Sequence, residues 1–461
     1  MSDTAPDNAI VVIGAGPAGT RAAETLVKAG VKPVVIDEAP KSGGQIYRRQ
    51  PDGFRRPIED LYGYEAPKAR AVHAAFDGLS DRIDYRPNTL VWEVREGLVH
   101  TIDNATDKRG SLPYAALVLA TGAMDRVVPM PGWTLPGVYT LGGAQIALKF
   151  QGCAIGSRVV FAGSSPLLYL VAYQYAKAGA KVEAVIDTAP FAAKVKALPD
   201  LVLGGSTFAK GLYYVGWLRA HGVRCVSGAT LLRAEGKDGI EALVWRDSGG
   251  GEQRTACDAL GYGFGLKSES QVADLCGVPF RFDQGQRQFV PEVDAAGRTP
   301  VKGVYACGDG ATVRGADAAE LAGERAALAL LEDRGQAFDR ARAQALDAAL
   351  AKLNRFRRGM DAAFPFPVEM AKAIADDTIV CRCEAITAGE ARKWMRDLGA
   401  MEMNRVKAFS RVGMGRCQGR VCGTGAAEVV AAECGLPIEE VGRLRGQAPV
   451  KPVPLDPAEG E

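Results

Sequence analysis

The sequence predicts an α/β chain built from two successive dinucleotide-type βαβ units and a small, mainly helical domain that carries cysteines. Three observations predict it. A glycine-punctuated βαβ pattern covers residues 9–38, a second and altered one covers residues 157–187, and four cysteines gather in CRC at 381–383 and CQGRVC at 417–422. The 461 residues, 47% hydrophobic and 24% charged, suffice for two to four domains. Lys plus Arg number 56 against 54 Asp plus Glu, a net charge of +2. That balance leaves no strong field for nucleic acid or an anionic membrane and favours a small or neutral partner. Residues 1–9, MSDTAPDNA, lack the basic and apolar regions of a signal peptide, and no apolar run reaches the length of a membrane span. The chain therefore reads as cytoplasmic, a reducing setting in which clustered cysteines mean metal or catalysis more often than disulfides.

In AIVVIGAGPAGTRAAETLVKAGVKPVVIDE the apolar run 9–13 reads as a buried parallel strand, and Val34–Ile36 as the next. Between them a helix presents Ala22, Ala23, Leu26 and Val27 on one face. Gly14 makes the tight turn, Gly16 lets bare backbone approach a pyrophosphate, and Gly19 lets helix pack on strand. Gly14, Gly16, Pro17, Ala18 and Gly19 thus form a phosphate turn at a helix N-terminus, where unpaired amides and the helix dipole favour an anion. Glu38, nineteen residues past Gly19, reads as the end of the second strand and the acceptor for an adenosine ribose, with Asp37 the competing choice.

Three further stretches follow: SGGQIYR at 42–48, LVLATGA at 117–123 and TPVKGVYACGDG at 299–310. This trio resembles the FAD-binding half of the glutathione-reductase and thioredoxin-reductase superfamily. The resemblance implies a glutathione-reductase-like FAD domain in which Gly44 and Gln45 lie along the flavin, Thr121 and Gly122 near the pyrophosphate, and Asp309 on the ribityl chain. Asp309, after the apolar strand Val304–Ala306, also reads as a cap for the next helix, and the two roles can coexist.

With its closing strand so far down the chain, the FAD domain is interrupted by the second βαβ unit, which looks like the NAD domain of the same superfamily. Its turn runs Gly163, Ser164, Ser165, Pro166, Leu167, Leu168, without the second and third glycines. Ser165 opposes close approach of phosphate and Leu168 crowds the helix start, so NAD is not expected and the unit reads as a degenerate Rossmann-like scaffold or docking surface. The turn DSGGGEQ, 247–253, points to a β-meander. GGQIYRRQPDG contains no cysteine pair for a disulfide-reductase reaction, and Cys153, Cys225, Cys257, Cys276, Cys307 and Cys434 stand singly, as small buried packing residues do. His73, His100 and His221 form no cluster.

From about residue 331 the alternation of Ala, Arg, Asp and Leu reads as helix until Pro365 and Pro367 break it, a linker. Beyond it Cys381, Cys383, Cys417 and Cys422 lie on loops flanking a helical pattern at 387–398. Four thiolates suit zinc or an iron–sulfur cluster, and spacing alone leaves both open. Gly413, Gly415, Gly419, Gly423 and Gly425 would let backbone amides reach sulfur.

CRCEAITAGEARKWM and VKAFSRVGMGRCQGRVCG resemble the [2Fe–2S] domain of the bacterioferritin-associated ferredoxin type, with the spacing found at the end of anaerobic glycerol-3-phosphate dehydrogenase. From residue 8 to residue 455 the chain resembles the α subunit of the opine oxidase, hydrogen cyanide synthase and dye-linked proline or hydroxyproline dehydrogenase group. That resemblance implies FAD and a [2Fe–2S] cluster on Cys381, Cys383, Cys417 and Cys422, in an oxidoreductase acting on CH–NH or CH–NH2 donors. It implies a β subunit with its own FAD that carries the substrate site, room for a small γ subunit, and a quinone or other carrier as acceptor. No catalytic residue falls to this chain, and a cytoplasmic place allows peripheral attachment at the inner membrane. The expected divisions are an FAD-binding domain at 8–150 and 291–332, a degenerate NAD-like domain at 151–290, a helical linker at 333–376, the cluster domain at 377–435 and a tail at 436–461. Two other readings stay open: a self-contained NAD(P)H-dependent ferredoxin-type reductase, which needs nicotinamide at the Gly163 turn, and a non-enzymatic iron–sulfur module without flavin turnover.

Overall fold

In the computed structural model, which describes residues 9–454, the buried run Ile10–Ile13 is the middle strand of a five-stranded parallel sheet. Residues 1–8 and 455–461, which hold most of the stretch read for a leader and the end of the expected tail, lie outside the described residues. The spatial order is Val304–Ala306, Ala116–Leu119, Ile10–Ile13, Val34–Ile36, Asp84–Arg86. Its four inner and closing strands are buried on both faces, as a parallel sheet between helices must be. Helix Pro17–Lys28 crosses helix Ala316–Asp333 so closely that a Cβ on Gly323 would stand 2.0 Å from the Ala18 carbonyl oxygen.

The second unit is a parallel sheet of Val138–Thr140, Ala259–Gly263, Arg158–Gly163, Lys181–Asp187 and Arg224–Ser227, with the meander Thr230–Glu235, Ala242–Arg246, Glu252–Ala256 beside it. The meander turns where the sequence places it, and the Asp247 carboxylate accepts the Gly249 and Gly251 amides there. The limits expected at 151 and 290 are displaced. Val138–Thr140 already belongs to the second sheet, and Val272, Ala273 and Val278 have returned to the core of the first. The joint is the antiparallel pair Ala123–Asp125 and Leu266–Ser268.

Helix Arg340–Ala363 packs Ala343, Leu346 and Leu350 into the first core and sets Phe356, Met360 and Ala363 against Leu201 of the inserted unit. The expected linker is therefore a packed strut. Among the single cysteines, Cys257 and Cys307 are buried as expected, Cys225, Cys276 and Cys434 are half-buried, and Cys153 is exposed just after the left-handed Gly152. No helix of the described residues is long and apolar enough to cross a membrane.

The cysteine-bearing unit begins its main helix with a capping box, Thr387 and Glu390, and ends that helix, Ala388–Leu398, at left-handed Gly399. Met395, Met403, Val406 and Val430 of this unit share one continuous core with Val127, Trp133, Leu243 and Trp245 of the inserted unit. Across the seam the Trp133 indole donates to the Ile379 carbonyl at 2.6 Å. Glu428, 1% exposed, accepts a fork from Arg287 at 2.6 and 2.9 Å. Arg287→Ala leaves that carboxylate buried without its counter-charge and is expected to cost about 3 kcal/mol, read as a fall in the denaturation midpoint. A loss of less than about 1 kcal/mol would mean the pair behaves as a surface bridge.

Candidate functional site

Gly14 sits at φ +107°, where a Cβ would stand 2.3 Å from the Ala120 carbonyl oxygen, and a Cβ on Gly19 would stand 1.8 Å from the Gly14 oxygen. Both glycines are demanded by the fold. Gly16 differs: its Cβ would meet only Gly44 Cα, at 3.5 Å. It is the N-cap of helix Pro17–Lys28, has extended backbone and no side-chain cap, and the first turn carries no acid. The amides of Ala18 and Gly19 are thus left at a positive helix end, as a pyrophosphate needs.

The second strand stops at Ile36, two residues before Glu38, so Asp37 and not Glu38 stands at its end. The Asp37 carboxylate accepts the amides of Ala15 at 2.5 Å and Ala39 at 2.7 Å, while burial pushes its pKa up. Glu38 is 49% exposed at its side chain and pairs with Lys451. Both acids raise the Arg48 guanidinium against the stronger lowering by burial, and the Arg48 Nε is buried without a partner.

Loop 42–45 folds back over the phosphate turn. The Gly43 amide donates to the Ala15 carbonyl at 2.8 Å, and Gly44, at φ +65°, lies so near that a Cβ would stand 2.9 Å from Gly16 Cα. Gln45 is exposed and accepts from Arg48 at 2.7 Å. The Thr121 hydroxyl donates to the Glu269 carbonyl, and the Glu269 amide donates to the Gly122 carbonyl at 2.9 Å. Asp309 accepts the Arg314 and Gly315 amides at 2.7 and 2.9 Å and so holds the turn before helix Ala316–Asp333. The Arg314 Nε is buried and unpartnered. A bare helix end, two carboxylates and two guanidinium groups with unused buried donors fit a dinucleotide with a pyrophosphate and hydroxyl-rich sugars.

The corresponding turn of the second unit is already filled. The Ser165 hydroxyl caps its helix by accepting the Leu167 amide at 3.1 Å, and Ser164 donates to the Pro365 carbonyl at 3.1 Å. Phe364 meets Tyr169 edge to face and lies under Lys194. Asp187, at the end of strand Lys181–Asp187, is fully buried and taken by Lys194, the Tyr169 hydroxyl and the Ala189 amide. Leu168 does not face the turn at all; it is buried in the unit's own core.

Cys381 ends strand Ile379–Cys381, Cys383 and Cys417 lie on turns, and Cys422 opens helix Cys422–Cys434, so three of the four occupy the expected loops or their edge and the fourth a helix start. Among the described residues no group of three or more His, Cys, Asp or Glu side chains is gathered as one metal ion requires. The four thiols instead act on one another, Cys422 on both Cys381 and Cys417, and Cys383 on Cys417. The neighbouring Cys422 holds the Cys381 and Cys417 thiols below the usual thiol range, with further help from the amides of Gly413 and Glu384 on the first and Val421 and Gly419 on the second. Gly415 is required by crowding, since its Cβ would stand 2.3 Å from Cys383 Cβ. Two pairs of thiols supplied with backbone donors fit a binuclear iron–sulfur cluster, which divides four ligands between two irons.

Two features escaped sequence reasoning. Lys267 lies beside Cys417 and Cys422, its ammonium lowered by burial, and the single lysine in the apolar run 259–268 was the available signal. Leu444 fills the hollow left by Gly413, Gly419 and Gly423, and nothing in the tail's composition marks it.

The family described as pyridine nucleotide-disulphide oxidoreductase matches residues 8–326, and the BFD-like [2Fe-2S] binding domain matches residues 379–432. The A-subunit of opine oxidase from Agrobacterium tumefaciens is 36% identical over 463 residues, covering 97% of this chain and 90% of that one. Hydrogen cyanide synthase subunit HcnB of Pseudomonas protegens is 31% identical and covers 96% of each. The solved structure of L-proline dehydrogenase from P. horikoshii superposes with a TM-score of 0.71 at 20% identity, over 97% of this chain and 78% of that one, a likeness of fold. FAD and a [2Fe–2S] cluster are the cofactors these matches carry with them.

Gly16→Val is expected to leave the fold intact, because that Cβ has room, yet to lower bound FAD at least tenfold by filling the space of the pyrophosphate. Flavin release on acid precipitation reads it, and full retention of FAD would place the phosphate elsewhere. Cys417→Ser is expected to abolish iron, acid-labile sulfide and the S = 1/2 signal of the dithionite-reduced protein while FAD stays at its wild-type content. One equivalent of zinc in the wild type, without that signal, would overturn the cluster assignment.

Proposed function

The chain belongs to the pyridine nucleotide-disulphide oxidoreductase family, in the group that holds the opine oxidase A-subunit and hydrogen cyanide synthase subunit HcnB, and we propose that it is the electron-carrying subunit of a heteromeric dehydrogenase. Its partner, an FAD-containing β subunit, oxidises the carbon–nitrogen bond of an amino acid, imino acid or opine, and the electrons leave to a quinone or another carrier. The pair works in the cytoplasm.

The observation that carries this reading is the filled second turn. Ser165, Pro365, Phe364 and the Lys194–Asp187 pair occupy the places where phosphate and ribose of a nicotinamide dinucleotide would sit. With that entry closed by its own side chains, the chain needs a partner to deliver electrons, which fits relatives that are themselves named as subunits. The self-contained reductase reading requires the opposite.

When bound, FAD and a [2Fe–2S] cluster supply exchange between electron pairs and single electrons. The chain's own residues set where that exchange happens. Gly16, Ala18 and Gly19 would bind the pyrophosphate, Arg48 and Asp37 or Glu38 the adenosine end, and Cys381, Cys383, Cys417 and Cys422 the irons. Glu269 ties the two regions together: its backbone bonds to Thr121 and Gly122, and its carboxylate accepts from Arg420 at 2.8 Å, between Cys417 and Cys422.

NADH and NADPH mixed anaerobically with the purified chain are expected to leave the flavin absorbance unchanged over minutes. The co-purified complex is expected to bleach with one member of a panel of amino acids, imino acids and opines. Prompt bleaching by NADH in the isolated chain would replace this reading with the reductase.

A further inference from the structure

Between the FAD-binding domain and the inserted unit lies a cavity of about 320 Å³. None of the residues assigned to FAD or to the cluster lines it. Its floor carries Lys149, which is 5% exposed, with the buried rings of Tyr62, Tyr173 and Tyr214, and Arg56 and Lys177 stand exposed at its mouth.

Lys149 is the unusual group. Buried ammonium groups are rare unless paired, because transfer from water is costly and only a counter-charge or several acceptors offset it. Among the described residues its ammonium has no hydrogen-bond acceptor and no ion-pair partner; it stands over the Tyr62 ring, 5.4 Å from the nitrogen to the centroid. Glu65 acts on it from a distance but is already bound by Lys210 at 2.5 Å and Lys68 at 3.4 Å. Burial accordingly pulls the ammonium down to about 8.

The backbone beneath it is also unusual. Leu141–Ile146 is α-helical, but Ala147–Gln151 widens into a π turn that ends at left-handed Gly152. Such turns are rare and concentrate at functional positions. Here the turn directs two successive side chains at the FAD-binding domain: Lys149 meets Tyr62, and Phe150 lies under Arg48, 5.3 Å from the guanidinium carbon. Gly152 in turn leaves space for Phe54, whose ring carbon would be 2.6 Å from a Cβ.

We propose that this cavity binds a small organic anion, its carboxylate or phosphate on the Lys149 ammonium and its flat apolar body against Tyr62, Tyr173 and Tyr214. The volume lies at the lower end of small-molecule sites, and a boundary between domains is a common place for one; the wall mixes tyrosine rings with polar groups, and Lys149 is the buried charge among them. Arg56 and Lys177 at the rim draw an anion inward and oppose a cation. Glu59 and Asp60 also line the rim, Glu59 paired with Arg70, so the discriminating charge is the one at the floor.

Calorimetric titration of the full chain, with FAD and cluster in place, tests this with three probes: benzoate, phenyl phosphate and inorganic phosphate. Benzoate or phenyl phosphate is expected to bind one to one with a Kd of about 1 mM or tighter, whichever is tighter identifying the anionic group, and inorganic phosphate at least tenfold more weakly. Lys149→Met is expected to weaken the better probe about tenfold or more, the size of a lost charge-assisted hydrogen bond. In the wild-type chain, the same probe should protect Lys149 from acetylation by acetic anhydride, read by peptide mass spectrometry, a measurement that needs no variant. Absence of binding by both aromatic probes, equal binding of inorganic phosphate, unchanged affinity in Lys149→Met, or acetylation of Lys149 that the probe does not slow would each overturn the proposal.

Discussion

Trp133, Trp245, Met395 and Val430 lie in one uninterrupted apolar core, although they come from two units separated in sequence by the closing strand of the first sheet and by a long helix. Core packing at organic-crystal density transmits position, so the cysteine loops cannot drift relative to the inserted unit without opening cavities among fully buried side chains. Polar contacts then select one register for the seam. The Trp133 indole reaches a single carbonyl, that of Ile379, only two residues before Cys381. The Arg287 fork on Glu428 orients the helix that begins at Cys422. Gly425 on that helix lets it close on Pro129, since a Cβ there would stand 2.5 Å from the proline ring.

From this fixed seam the relation between the two cofactor regions follows. The strands Ala123–Asp125 and Leu266–Ser268 cross between units immediately after Thr121 and Gly122, and Glu269 continues the second strand into contact with Arg420. The segment that bears Thr121 and Gly122 is therefore two bonded contacts from the chain that bears the thiols. The Lys267 ammonium adds a positive charge beside Cys417 and Cys422, where deprotonated sulfur would otherwise accumulate negative charge at low dielectric. The same economy of parts governs the second dinucleotide turn. Once Ser165 replaces glycine, the helix end is capped from within, and the residues that break the long helix, Phe364 and Pro365, can settle on it.

What was legible in the sequence was whatever local geometry forces on composition. Gly14 and Gly19 are fixed by carbonyl oxygens 2.3 and 1.8 Å from where a Cβ would be, so any chain that makes this turn must show them. The βαβ periodicities, the meander turn at Asp247 and the Thr387 capping box are similarly local. The cysteines were legible through their spacing and through the glycines that carry amides to sulfur, of which Gly413 and Gly419 do so. Long-range partners were not legible. The amphipathic stripe of helix Ala388–Leu398 announces that one face is buried but not which element covers it, and FPFP reads as a break whether it hangs free or fills a turn. The assignment of Glu38 to the strand end failed by two residues because Val34–Ile36 is short and the acids that follow it are adjacent.

The tail shows how far this dependence reaches. Leu444 occupies a hollow that exists only because Gly413, Gly419 and Gly423 lack side chains, and Arg443 beside it is clamped by Asp274 at 2.6 and 2.8 Å and lies 3.7 Å over the Phe280 ring, both on the FAD-binding side. Farther on, the Val450 amide donates to the Trp92 carbonyl and Lys451 pairs with Glu38, one of the two acids that follow strand Val34–Ile36. One short segment thus touches the cysteine loop at one end and the acids after strand Val34–Ile36 at the other. A hydrophobic side chain in a glycine hollow is held by shape and a lysine on a half-exposed carboxylate by a screened charge, so the two anchors differ in strength. The cluster end is the firm one. Exchange of the tail would begin at Lys451, freeing the Glu38 carboxylate while the thiol loop stays covered.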